Sequence, residues 1–255
     1  MLIPRVFHQI WVGPDPFPEE FARYQESWLR HHPGWELKFW TDENLPDDLR
    51  RAEAADRLRA PWERADILRL EVVWRNGGVH VDTDFECLRP IEPLIEDVDF
   101  FIGYRKEGRV NGALLGAVAG HPILDRGLET IEPNVAYGAA MGTGSSNDKV
   151  KTGPQFLDRL LEDFPGAKIF PPEIFYPRTP EQVEQAYAVH HKARAWQDAE
   201  GLRGAMLKAE QRLRQAQEEA REWRLRCERA EAELASLRAT AGVSGRGLRR
   251  FLARG

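Results

Sequence analysis

The segment Asn76-Gly77-Gly78-Val79-His80-Val81-Asp82-Thr83-Asp84-Phe85 constrains the fold of this chain more than any other. A helical stretch stops at a glycine pair, a short apolar strand follows, and two carboxylates come at its far end. A helix that leads directly into a buried strand is a building unit of an α/β sandwich. Residues two apart in a strand share a side, so a strand over 79–84 is expected to bring Asp82 and Asp84 to one point. Like charges that close repel unless a cation lies between them. Mg2+ or Mn2+, with oxygen ligands, suits such a pair and keeps positions open for a substrate phosphate. The other reading of these residues is a strand that ends in acidic turn residues.

The rest of residues 1–197 alternates strand and helix signals. Residues 5–12 read as a buried strand stopped by Gly13-Pro14. A helix over 19–31 and a strand over 35–40 follow, then helices over 46–57 and 61–75, the latter with Pro61 in its first turn and Gly77 as its stop. Strands are expected at 98–103, 111–118, 167–170 and 184–190, with helices at 121–131 and 154–164. This pattern predicts a mostly parallel sheet, whose ligands bind beyond the carboxyl ends of the strands. Trp11-Val12-Gly13 and Asp82-Thr83-Asp84 both fall at such ends, so one cleft can hold both. Asp66 and Arg69, three apart on the preceding helix, share a face. They form either a surface ion pair or, facing the cleft, a grip for sugar hydroxyls and phosphate. Residues 133–153, rich in Gly and Ser, read as a loop, either closing over the cleft or a plain surface connection.

Composition narrows the class. The chain has 255 residues and a formal charge of −5, which argues against a general nucleic-acid binder. Cys87 and Cys227 form no disulfide framework and have no metal-ligand spacing. With neither a leader pattern nor a run of 18 apolar residues, the expectation is a soluble cytoplasmic protein.

Three motifs carry a resemblance: Ile10-Trp11-Val12-Gly13, then Ala65-Asp66-Ile67-Leu68-Arg69, then Gly77 to Asp84. In order and spacing the chain resembles the DXD-containing sugar transferases of glycosyltransferase family 32 and, more distantly, the catalytic domain of large glucosylating toxins. The likeness covers roughly residues 3–196. It implies a GT-A-type, Rossmann-like sandwich, a nucleotide-sugar donor (a UDP-sugar rather than a GDP-sugar), Mn2+ or Mg2+, an unidentified hydroxyl acceptor in surface polysaccharide or glycoconjugate synthesis, and retention of anomeric configuration. It also implies roles. Trp11, beside Val12, stacks on the base, and Asp66 and Arg69 grip the donor sugar. Asp82 meets ribose or a metal-bound water, and Asp84 ligates the metal. Asn111 borders the sugar, and Thr152-Gly153-Pro154 stands for the family's Thr-Gly-Pro. The segment from His190 to Trp196 stands for its late His-His-to-Trp motif, with His191 as third metal ligand and His190 as the fallback. Arg194 and Ala195 replace the usual small residue and serine; Arg194 then pairs with phosphate or blocks the site. In that second case the chain is a non-catalytic nucleotide-sugar or glycan-binding scaffold. An aspartyl phosphatase is disfavoured, because Glu86 stands where that motif needs Thr or Val.

From Leu202 to Leu237 apolar residues recur at alternating spacings of four and three, a heptad seam. It predicts a long coiled-coil helix over 198–240, serving as a homodimer contact, a partner site or a fold-back onto the catalytic domain at 1–197. The tail, 241–255, carries four Arg and no acid. It reads as a disordered solubilising end or as a weak contact with anionic lipid at the inner face of the membrane. For the homodimer, light scattering of the full chain should give twice the chain mass of 29.2 kDa; a single species at that chain mass would exclude it.

Overall fold

The computed structural model describes residues 2–58, 60–106, 108–140 and 152–192, together with positions 221, 232, 235 and 236. The chain divides into two compact units, residues 1–196 and 197–255. Of the second unit, Arg221, Ala232, Ala235 and Ser236 are helical and exposed; every position of the expected heptad seam lies outside the described residues, as does the basic tail. No helix among the described residues is long and apolar enough to cross a membrane.

The first unit is a mixed α/β sandwich. Its six-stranded sheet has the order β2 (Glu36–Trp40), β1 (Val6–Ile10), β3 (Gly78–Val81), β6 (Arg109–Ala117), β5 (Phe100–Lys106) and β7 (Lys168–Phe170). Only β6 runs against the rest, pairing antiparallel with both β3 and β5. β4 (Phe85–Cys87) and β8 (Ala188–His190) form a separate two-stranded ribbon.

Period-2 alternation sends neighbouring side chains of the sheet into two cores. Ile102 and Leu115 face a core shared with α3 (Pro61–Asn76), α5 (Pro122–Ala140) and α6 (Pro154–Glu162). Phe101 and Leu114 face the other, with Trp28 of α1 (Ala22–His31), Ile95 of α4 (Glu92–Ile95) and Phe175 of α7 (Pro172–Phe175).

The glycine pair sets how β3 enters the sheet. Gly77 and Gly78 have φ of +64° and +99°, a region L side chains rarely adopt. A Cβ on Gly77 would lie 2.8 Å from the Ala119 nitrogen, and one on Gly78 2.5 Å from the Val6 carbonyl. Only bare backbone lets β3 lie against β1 in the register Phe7↔Val79 and His8↔His80. His8 ties the same corner: its Nε2–H donates to the Gly77 carbonyl at 2.8 Å, and Nδ1 accepts from Trp40 Nε1 at 3.0 Å.

Four expected boundaries move. The helix expected over 46–57 shrinks to α2 (Ala52–Asp56). Side chains of α3 hold the preceding turns: Arg75 bonds the Asp48 carbonyl and carboxylate, and the Arg50 amide donates to Glu71. The strand expected over 184–190 keeps only β8, because Thr179 caps a helix, α8 (Pro180–Gln185). Helix α5 continues to Ala140, where a loop was expected from 133, Ala136, Ala139 and Ala140 favouring helix; residues 141–151 lie outside the described set. The aspartate strand ends at Val81, as argued below.

His8 is fully buried, and its two hydrogen bonds match only the neutral Nε2–H tautomer. Burial lowers its pKa to about 4, although the Gly77 bond opposes the shift. The folded state therefore binds fewer protons than the unfolded chain between pH 6.5 and 4, and stability is lost as pH falls through that window. The expected loss from this group is about 3 kcal/mol. At pH 5.5, imidazole nitrogen NMR should show His8 neutral, as the Nε2–H tautomer; an imidazolium signal there would refute the assignment.

Candidate active site

Helix α3 carries the first part of the site. Pro61 starts it and Gly77 ends it, and its surface is buried nearly all round from Ile67 to Val73. Arg69 therefore emerges inside the protein, with 9% of its side chain exposed. It meets Asp66 at 2.6 Å and lies 3.8 Å from Asp82. Thr152, just before α6, donates to the other Asp66 oxygen at 3.0 Å. The alternative of a surface ion pair is thereby set aside. Burial raises the pKa of Asp66 against the pull of Arg69 and Thr152.

Strand β6 supplies the floor. A Cβ on Gly112 would stand 2.9 Å from Arg69 Nη1 and 3.0 Å from Leu157, so any larger residue displaces the guanidinium. The Asn111 side chain accepts from the Ala113 amide, and the Asn111 carbonyl accepts from the buried Tyr176 hydroxyl at 3.3 Å. The Ala113 carbonyl accepts from the Asp82 amide at 2.8 Å, extending the β3–β6 ladder by one residue.

Asp82 and Asp84 converge, but not as neighbours along a strand. After Val81 the chain turns, closed by the Phe85 amide donating to the Asp82 carbonyl at 3.1 Å. It re-forms as β4, opposite β8 in the register Phe85↔His190. Side chains of α1 pin that edge: Trp28 Nε1 donates to the Phe85 carbonyl, and Ser27 Oγ accepts from the Cys87 amide. The turn brings ligand atoms of Asp82, Asp84 and His190 within 4.8 Å of one another.

The structure therefore puts His190 where His191 was expected. The register decides it. His190 Nε2 is 3.1 Å from Asp84, its ring stacked on Phe85 at 4.9 Å. His191 turns away to Glu86 at 2.9 Å and stacks on Tyr24 at 4.6 Å. Burial pushes the Asp82 carboxyl up, but Arg69, His80 and His190 outweigh it and hold it below the usual carboxylate range. His80, 2.9 Å from Asp82, is kept neutral by its own burial.

A cleft joins this cluster to an aromatic end. Trp11, Val12, Phe21 and Trp62 line one part, and Arg69, Asp82, Thr83 and Asp84 the other. Trp11 is held edge-on by Phe17 and Phe21, with its indole N–H on the Asp15 carbonyl. Of the expected site residues, Trp11, Val12, Asp66, Arg69, Asn111, Thr152, Asp82 and Asp84 thus lie in or directly beneath the cleft. Gly153 is the residue before α6, and Trp196 lies outside the described residues. Sequence reading passed over His80, Trp62 and Tyr176. His80 shares a strand side with Asp82, a signal that was present; Tyr176 had none.

Two carboxylates and one imidazole at this spacing, with a third carboxylate, Asp66, and one guanidinium beside them, leave the cluster negative. That donor set fits a divalent ion such as Mn2+, which accepts both oxygen and imidazole ligands.

Comparison with known proteins agrees with this geometry. Residues 18–101 match a family described as the glycosyltransferase sugar-binding region containing the DXD motif. Inositol phosphoceramide mannosyltransferase 3 of Schizosaccharomyces pombe is 28% identical over 134 residues, covering 48% of this chain and 35% of that protein. Mannosyl phosphorylinositol ceramide synthase SUR1 of Saccharomyces cerevisiae is 27% identical over 173 residues, covering 64% and 43%. The matches thus span about a third to a half of these relatives' length. The PaToxG glycosyltransferase shares the fold, with a TM-score of 0.52 at 15% identity over 64% of this chain and 70% of that one. These likenesses support a glycosyltransferase.

Replacing Arg69 with Met should leave Asp66 and Asp82 uncompensated and cost about 3 kcal/mol in urea unfolding. Adding Asp66→Asn should recover part of that loss. Strictly additive losses in this double-mutant cycle would show that the pair does not act as a unit.

Proposed function

We propose that this chain is a metal-dependent, retaining glycosyltransferase that moves a sugar from a nucleotide-diphosphate donor to a hydroxyl acceptor. The observation that carries the reading is the single cleft that joins an aromatic end to the Asp82–Asp84–His190 cluster. An aromatic wall suits a planar base, and a cation-binding cluster suits the diphosphate that follows it. A GT-A-type fold is in keeping with the strand order and with the toxin glycosyltransferase likeness.

Each residue then has a task. Trp11 stacks on the base, in the part of the cleft that Trp62 also lines. Asp84, His190 and Asp82 would hold the ion. That ion supplies Lewis-acid offset of the diphosphate charge. Asp66, oriented by Thr152 and Arg69, accepts from the donor sugar's hydroxyls. Arg69 lies between Asp66 and Asp82, so it acts chiefly by fixing those two carboxylates. Each carboxylate near the sugar is engaged: Asp66 and Asp82 with Arg69, and Asp84 with His190. We therefore infer a front-face transfer, the acceptor hydroxyl attacking beside the departing diphosphate, rather than a covalent intermediate of the glycosidase kind. A UDP-sugar stays the favoured donor class, and the mannosyltransferase relatives make mannose the first sugar to test.

The deciding experiment is thermal unfolding with UDP or GDP, with and without Mn2+, for the parent and for Asp84→Ala. A nucleotide at 100 times its Kd should stabilise the fold by about 2.7 kcal/mol, a shift of several degrees. The shift should need Mn2+ and vanish in the variant. No response to either nucleotide would overturn the donor site and favour a scaffold. With turnover in hand, NMR of the product should show a retained anomer, and an inverted one would overturn the front-face step.

A further inference from the structure

The aromatic end of the cleft is built from two segments distant in sequence. Trp11, Val12 and Asp15 follow β1, and Pro61, Trp62 and Ala65 open α3. The segments meet at one close approach: Gly13 has φ +105°, and a Cβ there would stand 2.8 Å from the Pro61 ring. A third segment, the turn after β2, joins them without lining the cleft itself. Asp42 commits both carboxylate oxygens to that join. Its Oδ2 accepts from the Gly13 amide at 2.7 Å, and its Oδ1 accepts from Arg64 Nη2 at 2.9 Å. The turn that carries Asp42 is tied down in turn. The Asn44 side chain accepts from the Thr41 amide and donates to the Phe39 carbonyl, and the Trp40 carbonyl accepts from the Trp11 amide at 2.8 Å.

An ion pair whose carboxylate side chain is 44% exposed contributes little stability of its own. What sets this one apart is what it connects. Glycine has the freest backbone of any residue, and the Asp42 bond holds Gly13 in one conformation. The Trp11 indole belongs to the same stretch, its N–H on the Asp15 carbonyl, so a shift at Gly13 moves the aromatic wall. Stacking depends steeply on spacing: widening a van der Waals contact by about 0.5–1 Å forfeits a quarter to a half of its attraction. The ion end of the cleft is fixed separately. Arg69 lies five residues, or about 7.5 Å of helix, beyond Arg64, and it is held by Asp66 and Asp82. We propose that Asp42 is a positioning residue for the nucleotide base: by holding Gly13 and Arg64 at once, it fixes the spacing of the two segments that line the aromatic end. This rests on the donor-site reading of the cleft. The base then enters a slot already in its bound shape, and less affinity is lost to ordering it.

The test measures two affinities for the full chain and its variants by calorimetry in Mn2+. One is for UDP or GDP, whichever the parent binds more tightly; the other is for pyrophosphate, which has the diphosphate and no base. Asp42→Ala should bind the nucleotide about tenfold more weakly, the order of one lost hydrogen bond to a charged group, and should bind pyrophosphate as the parent does. Asp42→Asn keeps an oxygen for Gly13 and loses the charge that faces Arg64, so its nucleotide affinity should fall between the two. Should Asp42→Ala fail to fold, Arg64→Met, which leaves the Gly13 bond in place, should show the same selective loss at smaller size. Equal losses for both ligands would mean a general loosening of the fold, and an unchanged nucleotide affinity would remove Asp42 from the site. Either result overturns the proposal while the donor site stands. A parent that binds pyrophosphate but neither nucleotide, or that binds none of the three, overturns the donor reading, and the positioning role falls with it.

Discussion

A guanidinium held between two carboxylates at the floor of the cleft is the contact on which the rest of the site depends. Arg69 cannot leave: the helix that carries it is buried on nearly every side, and little of its side chain reaches the surface. Removing charge from such an arrangement costs more than the pair itself contributes, because the remaining carboxylates lose the guanidinium that compensates them. That asymmetry fixes three other features. Gly112 must stay bare so that the guanidinium can lie against β6. Asp66 must be oriented from its other side by Thr152. Asp82 must reach Arg69 from the end of β3, which sets where that strand stops.

The stopping point is a property of the sheet. β3 is the last strand of the parallel half, and its neighbour β6 runs the other way. A crevice opens beyond the strand ends where strand order switches, and Asp82 is the first residue past that edge. Its amide still takes the Ala113 carbonyl, so the sheet holds its backbone while its carboxylate projects beyond. At the opposite end of β3, Gly77 and Gly78 admit the strand, and the His8 bond to Gly77 ties it to β1. The carboxylates thus inherit their precision from a glycine pair a strand's length away.

Most of this order was legible, because it is written in short-range pattern. The Pro61 start, the Gly77 stop and the apolar run after it placed α3 and β3, and the i,i+3 spacing placed Asp66 with Arg69. The misses share a cause: each depended on a partner distant in sequence. Val81 was not a visible strand end, since what ends it is a turn closed against β4 and β8. The choice between His190 and His191 follows from the Phe85↔His190 register, and counting residues to Trp196 cannot reveal a register. Tyr176 reaches Asn111 across 65 residues. Residues 48 and 50 spend their backbone groups on α3 rather than on a helix of their own.

The electrostatics of the cluster are arranged before any ligand arrives. Asp82 stays ionised because Arg69 and two histidines outweigh its burial. His80 stays neutral because it is buried, and so it serves Asp82 as a hydrogen-bond donor. A cation entering there meets a carboxylate with no proton to displace, which removes one competitor for the site. Phe85 and Tyr176 fix the His190 ring on two sides, so its imidazole loses little freedom on binding. Little reorganisation is then left for the binding event, and this is the condition under which buried dipoles and charges act most strongly on a reacting group. The protein meets that cost in folding, through Arg69 and the helix that buries it.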